Sequence, residues 1–101
     1  MKIIKIGGSI ITQKDQYLQA NIDNISRIAK ELSQVEDNFI LIHGAGSFGH
    51  LKAIEFGLEN EVRTVGKEKE IAKVIRDVQY LNSIILEELI NNGIPAVSLA
   101  P

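Results

Sequence analysis

The chain has no cysteine and no tryptophan, and only two prolines among 101 residues. Without thiols there is no disulfide framework and no thiolate metal site, a composition that fits a reducing compartment and makes the cytoplasm the expected location. No apolar stretch approaches the ~18–20 residues a bilayer-spanning helix requires. The opening Met1-Lys2-Ile3-Ile4-Lys5 is too short an apolar run for a signal peptide. Neither charge sign dominates: eleven basic against thirteen acidic side chains give a formal charge of −2, which leaves no electrostatic footprint for nucleic acid or an anionic membrane. A site for a phosphorylated ligand must therefore be local. Low-complexity segments are also missing, and 45% apolar residues argue for a folded domain. A chain of this length forms one domain at most, burying roughly 60–70% of its unfolded surface.

What is present is a succession of apolar runs, two of which stop at glycine turns. Ile3, Ile4 and Ile6, halted by Gly7-Gly8, predict a first strand. A polar stretch from Thr12 to Gln19 follows, and Ile22, Ile25, Ile28, Ala29 and Leu32 recur at intervals of three and four, predicting an amphipathic helix over 21–35. Phe39-Ile40-Leu41-Ile42 is continuous rather than alternating, the pattern of a strand buried on both faces of a parallel sheet. The second glycine turn comes next, then a short helix over 47–56, a polar loop from Gly57 to Gly66, and a long helix over 67–92 closed by Asn92-Gly93. Pro95 to Leu99 predicts a third strand with proline at its first position.

The order β-α-β-α-α-β implies an α/β fold: a parallel sheet with helices on both faces, an open three-layer α/β/α arrangement with right-handed crossovers. A three-stranded parallel sheet would leave a new edge exposed, so more chain is expected after Pro101.

Ligands in such sheets bind at the carboxyl ends of the strands, where both glycine turns fall. Glycine permits close approach of backbone to a phosphate, and the first N–H groups of a following helix lack internal partners. Gly7, Gly8 and Ser9 in the first turn, and Gly44, Ala45, Gly46 and Ser47 in the second, would supply such donors. Each turn alone is also explained by a tight strand-to-helix connection. Lys5 precedes the first turn inside an apolar run, and Lys14 follows in the polar loop, both able to neutralise charge on a transferred phosphoryl group. Lys14 read by itself is equally a solvated surface lysine. His43 and His50 flank the second turn. His50 is placed to hold a phosphate oxygen, and His43 to be a packed structural residue. Neither turn contains Asp or Glu, so no general base is evident, and an acceptor that is already an anion, such as a phosphate monoester with its second pKa of ~6, needs none.

Gly44-Ala45-Gly46-Ser47-Phe48-Gly49 also satisfies the dinucleotide pattern G-x-G-x-x-G. The acidic residue ending a second strand ~20 residues later is missing, however, and the P-loop pattern does not occur at all.

Lys5-Ile6-Gly7-Gly8-Ser9 with Thr12 and Lys14, followed by His43-Gly44-Ala45-Gly46-Ser47-Phe48-Gly49-His50, resembles the amino-acid kinase superfamily, and within it the isopentenyl phosphate kinases. Leu81-Asn82 and Gly93-Ile94-Pro95-Ala96-Val97-Ser98 are similar to that family too. The resemblance covers the whole chain as the amino-terminal, acceptor-phosphate-binding portion of a longer kinase, residues 1–101, without the nucleotide-binding half. It implies ATP-dependent phosphorylation of isopentenyl phosphate to isopentenyl diphosphate in an archaeal-type mevalonate route, with Mg²⁺ accompanying ATP and a homodimer in the complete protein. Lys5, Lys14 and His50 would be catalytic. Lys5, Gly7, Gly8, Ser9 and Gly46 would bind the ATP phosphates, and Gly44, Ala45, Gly49 and His50 the acceptor. Ile71, Val74 and Val78 would face the isoprenoid tail, although the same residues form a core stripe. Ala45 stands where the family more often has glycine. Two alternatives stay open: a kinase of another anionic acceptor (a phosphonate, an acylated amino acid or a nucleoside monophosphate), and a non-catalytic phosphate-binding or dimerisation module.

Overall fold

A computed structural model describes residues 1–55, 57 and 66–99, with only the backbone of His50. The predicted polar loop over 57–66 therefore lies largely outside the described residues. Strand β1 (Lys2–Ile6) is followed by a single helical turn α1 (Gly8–Ile11), helix α2 (Ile22–Leu32) and strand β2 (Phe39–His43). A 3-10 turn (Gly46–Phe48), the short helix α3 (His50–Glu55) and the long helix α4 (Glu68–Asn91) complete the described elements.

The two strands pair in parallel, with Lys2 opposite Phe39 and Ile6 opposite His43. This register ends both strands at the same level. The Gly44 N–H then continues the ladder onto the Ile6 carbonyl at 3.1 Å, so both glycine turns leave the sheet side by side.

Helix α2 begins at Asn21, whose side-chain oxygen accepts the Asn24 N–H at 3.1 Å, satisfying one of the amides a helix start leaves unpaired. Ile25, Ala29 and Leu32 of α2 are buried against Leu81, Ile85 and Leu89 of α4, joined by Ile6, Ile11 and Phe48. The spacing of four along α4 is one face of the helix. Its end is a Schellman arrangement: Gly93 takes φ +84, its N–H reaches the Ile90 carbonyl at 2.9 Å, and the Ile94 N–H reaches that of Leu89 at 3.0 Å. Ile94 then packs on the core.

The expected α/β arrangement is present, a parallel sheet with helices packed on it, and among the described residues they lie on the face lined by Ile4, Ile6, Phe39 and Leu41. Three expectations change. On the other face Ile3, Ile40 and Ile42 are 71%, 40% and 48% exposed, so among the described residues β2 is covered on one side only, where its continuous apolar run led us to expect cover on two. Residues 94–99 form no ladder, and the described sheet has two strands. Pro95 has no N–H to give, and that of Ala96 turns back to the Ile94 carbonyl at 2.8 Å, which leaves the start of the segment without donors for a neighbouring strand. The predicted helix from Ser47 is instead a 3-10 turn and α3, separated at Gly49.

Candidate functional site

The two glycine turns abut so closely that neither tolerates a side chain toward the other. A Cβ on Gly8 would run into the Gly46 nitrogen and lie 2.7 Å from the Gly46 Cα. One on Gly44 would come within 2.9 Å of the Gly8 nitrogen. Such separations lie far inside van der Waals contact, so glycine at both positions follows from the closeness of the two chains. Gly46 carries a second requirement: its φ of +51 is the left-handed conformation that other residues rarely adopt.

Thr12 ties the turns together. Buried to 2% exposure, its hydroxyl donates to the Gly8 carbonyl at 2.8 Å and accepts the Ser47 N–H at 3.0 Å. A single side chain from the end of α1 thus holds the start of the 3-10 turn, 35 residues on. In the sequence Thr12 stood out only as part of the family resemblance, with no role of its own; its spacing of four from Gly8, where a threonine hydroxyl can bond a carbonyl one turn back, was the available signal. The turn α1 was missed as well, since four residues are too few to show a helical period. At that length the macrodipole is slight, and the bare amides matter instead. Among the described residues the N–H groups of Gly8, Ser9, Ala45 and Gly46 enter no backbone hydrogen bond of these turns.

A pocket of about 330 Å³ opens beside them, lined by Ser9, Thr12, Lys14, Asp15, Gly46, Ser47 and Leu51. Ser47 contributes a buried hydroxyl with no protein partner among the described residues. The structure therefore brings together Ser9, Gly46 and Lys14, the last on the loop that the sequence left without a conformation. That loop is closed at its base by a bridge between Thr12 and Ala20 and turns through Asp15 and Leu18, both at positive φ. Asp15 on the pocket wall is a carboxylate that inspection of the glycine turns alone had not found. Gly7 is exposed. Lys5 is not among the lining residues: because Ile6 points into the core, its neighbour Lys5 projects from the opposite, exposed sheet face. His50 begins α3 directly after the second turn, and its side chain lies outside the described residues. Gly49, at the join, lies beneath α4: a Cβ there would meet the Ala45 Cβ at 2.8 Å, Val78 at 3.1 Å and Val74 at 3.8 Å.

The Lys14 loop is anchored to α4 from its other end. The Tyr17 hydroxyl donates to the carboxylate of Asp77, which is buried to 3% exposure and also accepts from Arg76 at 3.1 and 3.2 Å. Lys52 of α3 sits 4.7 Å from the centre of the Tyr17 ring. The hydrogen bond to Asp77, then burial and the Asp77 charge, hold the Tyr17 phenol above its ordinary pKa, with Lys52 and Arg76 pulling weakly the other way. Pairing with Glu55 at 2.8 Å raises the Lys52 ammonium.

His43, at the end of β2, is held at both ring nitrogens, Nδ1 by the Gly44 carbonyl and Nε2 by Asn82, each at 2.9 Å. This agrees with its reading as a packed structural histidine. No group of three or more His, Cys, Asp or Glu side chains comes together as a metal site among the described residues. None of the described helices is long and apolar enough to cross a membrane.

Comparison with known proteins points the same way. The model of the amino acid kinase family matches residues 1–101. The chain is 40% identical over 102 residues to an isopentenyl phosphate kinase of Thermoplasma acidophilum, a match covering 98% of this chain and 40% of that protein. It is 40% identical over 107 residues to the isopentenyl phosphate kinase of Methanothermobacter thermautotrophicus, covering 100% of this chain and 40% of the relative. A crystal structure of the T. acidophilum enzyme in a product complex superposes with a TM-score of 0.85 at 40% identity, covering 98% of this chain and 42% of that one. The chain thus spans about two-fifths of the length of these relatives.

Proposed function

Given that the chain belongs to the amino acid kinase family over residues 1–101, we propose that it is the acceptor-binding, amino-terminal portion of an ATP-dependent kinase that converts isopentenyl phosphate to isopentenyl diphosphate. The observation that carries this reading is the abutment of the turns, Gly8 against Gly46: residues from both strand ends, Ser9 and Gly46, line one small pocket with Lys14 on its wall. Two phosphate groups, one leaving ATP and one receiving, need such a shared cradle.

In this reading the amides of Gly7, Gly8, Ser9 and Gly46 bind the ATP phosphates. The Ala45 amide and the His50 imidazole hold the acceptor phosphate, with Gly44 and Gly49 as the closely packed backbone on either side, since their own N–H groups are taken up by the Ile6 and Gly46 carbonyls at 3.1 and 3.4 Å. A phosphate monoester is already ionised near neutral pH, its second pKa being about 6, so its oxygen attacks the transferring phosphorus without a general base. The chain's task is to fix the two groups in line and offset the charge that gathers between them. Lys14 does so from the pocket wall. Lys5 joins it if its exposed side chain folds back over the strand end. Asp15, the carboxylate on the pocket wall, would be the residue to meet the Mg²⁺ that accompanies ATP, an ion whose charge would help offset that of the phosphates. We place the reaction in isoprenoid synthesis by an archaeal-type mevalonate route, in a cytoplasmic, homodimeric enzyme.

The test is a coupled assay of ADP release by the family-length protein with isopentenyl phosphate and ATP. Replacing His50 with alanine is expected to lower kcat/KM on the order of a hundredfold, the scale of losing one donor to a charge that develops in the transition state. Unchanged activity in H50A removes the role given to His50. Preference for a carboxylate acceptor across a substrate panel refutes the choice of isopentenyl phosphate.

A further inference from the structure

Gly44 must be glycine because a Cβ there would come within 2.9 Å of the Gly8 nitrogen. The same freedom that permits this approach makes the peptide linking Gly44 to Ala45 easy to rotate, and a rotated peptide would aim the Ala45 N–H the wrong way. The turn therefore needs a separate restraint on that peptide, and the structure contains one.

The Gly44 carbonyl oxygen, which can only accept, lies 2.9 Å from the His43 Nδ1, so Nδ1 carries a proton and donates it. The other ring nitrogen, Nε2, lies 2.9 Å from the Asn82 side-chain nitrogen, which donates to it. The Asn82 amide is oriented in turn by Ser98, whose hydroxyl donates to the Asn82 oxygen at 2.7 Å. The chain of bonds has one consistent polarity, from Ser98 through Asn82 and a neutral His43 to the Gly44 carbonyl. That carbonyl and the Ala45 N–H are the two edges of one trans peptide plane, in which they point in opposite directions. Holding the carbonyl against His43 turns the Ala45 N–H away from the ring, and among the described residues that N–H has no backbone partner.

We infer that His43, set in its tautomer by Asn82 and Ser98, is a positioning residue that aims the Ala45 N–H at the acceptor phosphate. This inference rests on the reading of Ala45 as an acceptor ligand. It also gives residues 94–99 a use other than a third strand: Ser98 completes the restraint from outside the sheet.

Two variants of the family-length enzyme separate positioning from mere packing. In H43N the amide nitrogen occupies the place of Nδ1 and still reaches the Gly44 carbonyl; in H43Q it occupies the place of Nε2 and does not. H43Q is expected to raise KM for isopentenyl phosphate about tenfold, with KM for ATP changed less than about twofold, and H43N to recover acceptor KM to within about threefold of wild type, the range of a hydrogen bond to a charged group. Nitrogen-15 NMR of the wild-type histidines adds a readout independent of catalysis: His43 is expected with its proton on Nδ1, and N82L, which leaves only the Gly44 carbonyl to favour that tautomer, is expected to weaken the preference. Equal acceptor KM values in H43N and H43Q, or a His43 protonated on Nε2 in the wild type, overturn the inference. If the wild-type enzyme does not phosphorylate isopentenyl phosphate, the reading of the acceptor fails, while the tautomer still decides whether the restraint exists.

Discussion

Replacing Thr12 with valine asks how much of the site depends on one hydroxyl. Valine has nearly the shape of threonine, so the packing of this residue, 2% exposed, is kept and only the polar link is lost. The Gly8 carbonyl is not orphaned, since it still accepts the Thr12 backbone N–H at 3.1 Å. The Ser47 N–H is: its bond at 3.0 Å to the hydroxyl has no replacement in a residue buried to 6% exposure. Leaving such a donor unpaired costs about 1–3 kcal/mol, and loss of the bond from the hydroxyl to Gly8 adds up to about 1 kcal/mol. T12V should therefore lose about 2–3 kcal/mol, the middle of that range, which at a urea dependence of about 1–3 kcal/mol per molar lowers the midpoint of unfolding by about 1–3 M. T12S keeps both hydrogen bonds and gives up one methyl group, worth about 1 kcal/mol. Urea denaturation of the two variants decides between the accounts. If T12S is the less stable of the two, packing and not the hydroxyl holds the turns together, and the description of Thr12 as their tie is wrong.

Gly46→Ala should be worse than Gly93→Ala, although both glycines have positive φ, +51 and +84. At Gly93 nothing lies within 4 Å of an added Cβ, so only the backbone penalty of about 1–2 kcal/mol applies, whereas at Gly46 the Cβ would strike the Thr12 hydroxyl and lie 2.5 Å from the Gly8 carbonyl oxygen. Equal unfolding midpoints for the two variants would contradict the close approach. Tyr17 should ionise above pH 10 in an absorbance titration of the Y80F protein, where it is the single remaining tyrosine, and D77N should bring it back toward 10. Because the raised value belongs to the folded state, Tyr17's contribution to stability is complete below the unfolded value of 10.0 and is lost as pH rises through the folded one; a Tyr17 that titrates at or below 10 argues against its bond to Asp77.

The elements with sharp local signals could be read from the sequence with little error. Asn21 and Asn92-Gly93 bracket their helices because capping is decided by residues next to each other, and the ends of β1 and β2 were visible because glycine interrupts β-branched runs. Hydrophobicity misled where it was asked what covers a residue. Phe39 to Ile42 is apolar throughout, yet Ile40 and Ile42 lie on the face that no described helix covers, since an apolar side chain records the burial it suits without naming the element that supplies it. The same limit applies to contacts. Glycine at 8, 44 and 46 announced close approach, but only the parallel register, which levels Ile6 with His43, shows that the turns approach each other. Thr12 with Ser47, Tyr17 with Asp77 and His43 with Asn82 are separated by 35, 60 and 39 residues, and no local pattern joins them. The donors proposed to touch ligand were thus legible as glycines and lysines, because that chemistry needs particular residue types at particular strand ends. The groups that aim and hold those donors are ordinary threonine, tyrosine and asparagine, and they acquire a role only when the fold brings them across to the turn.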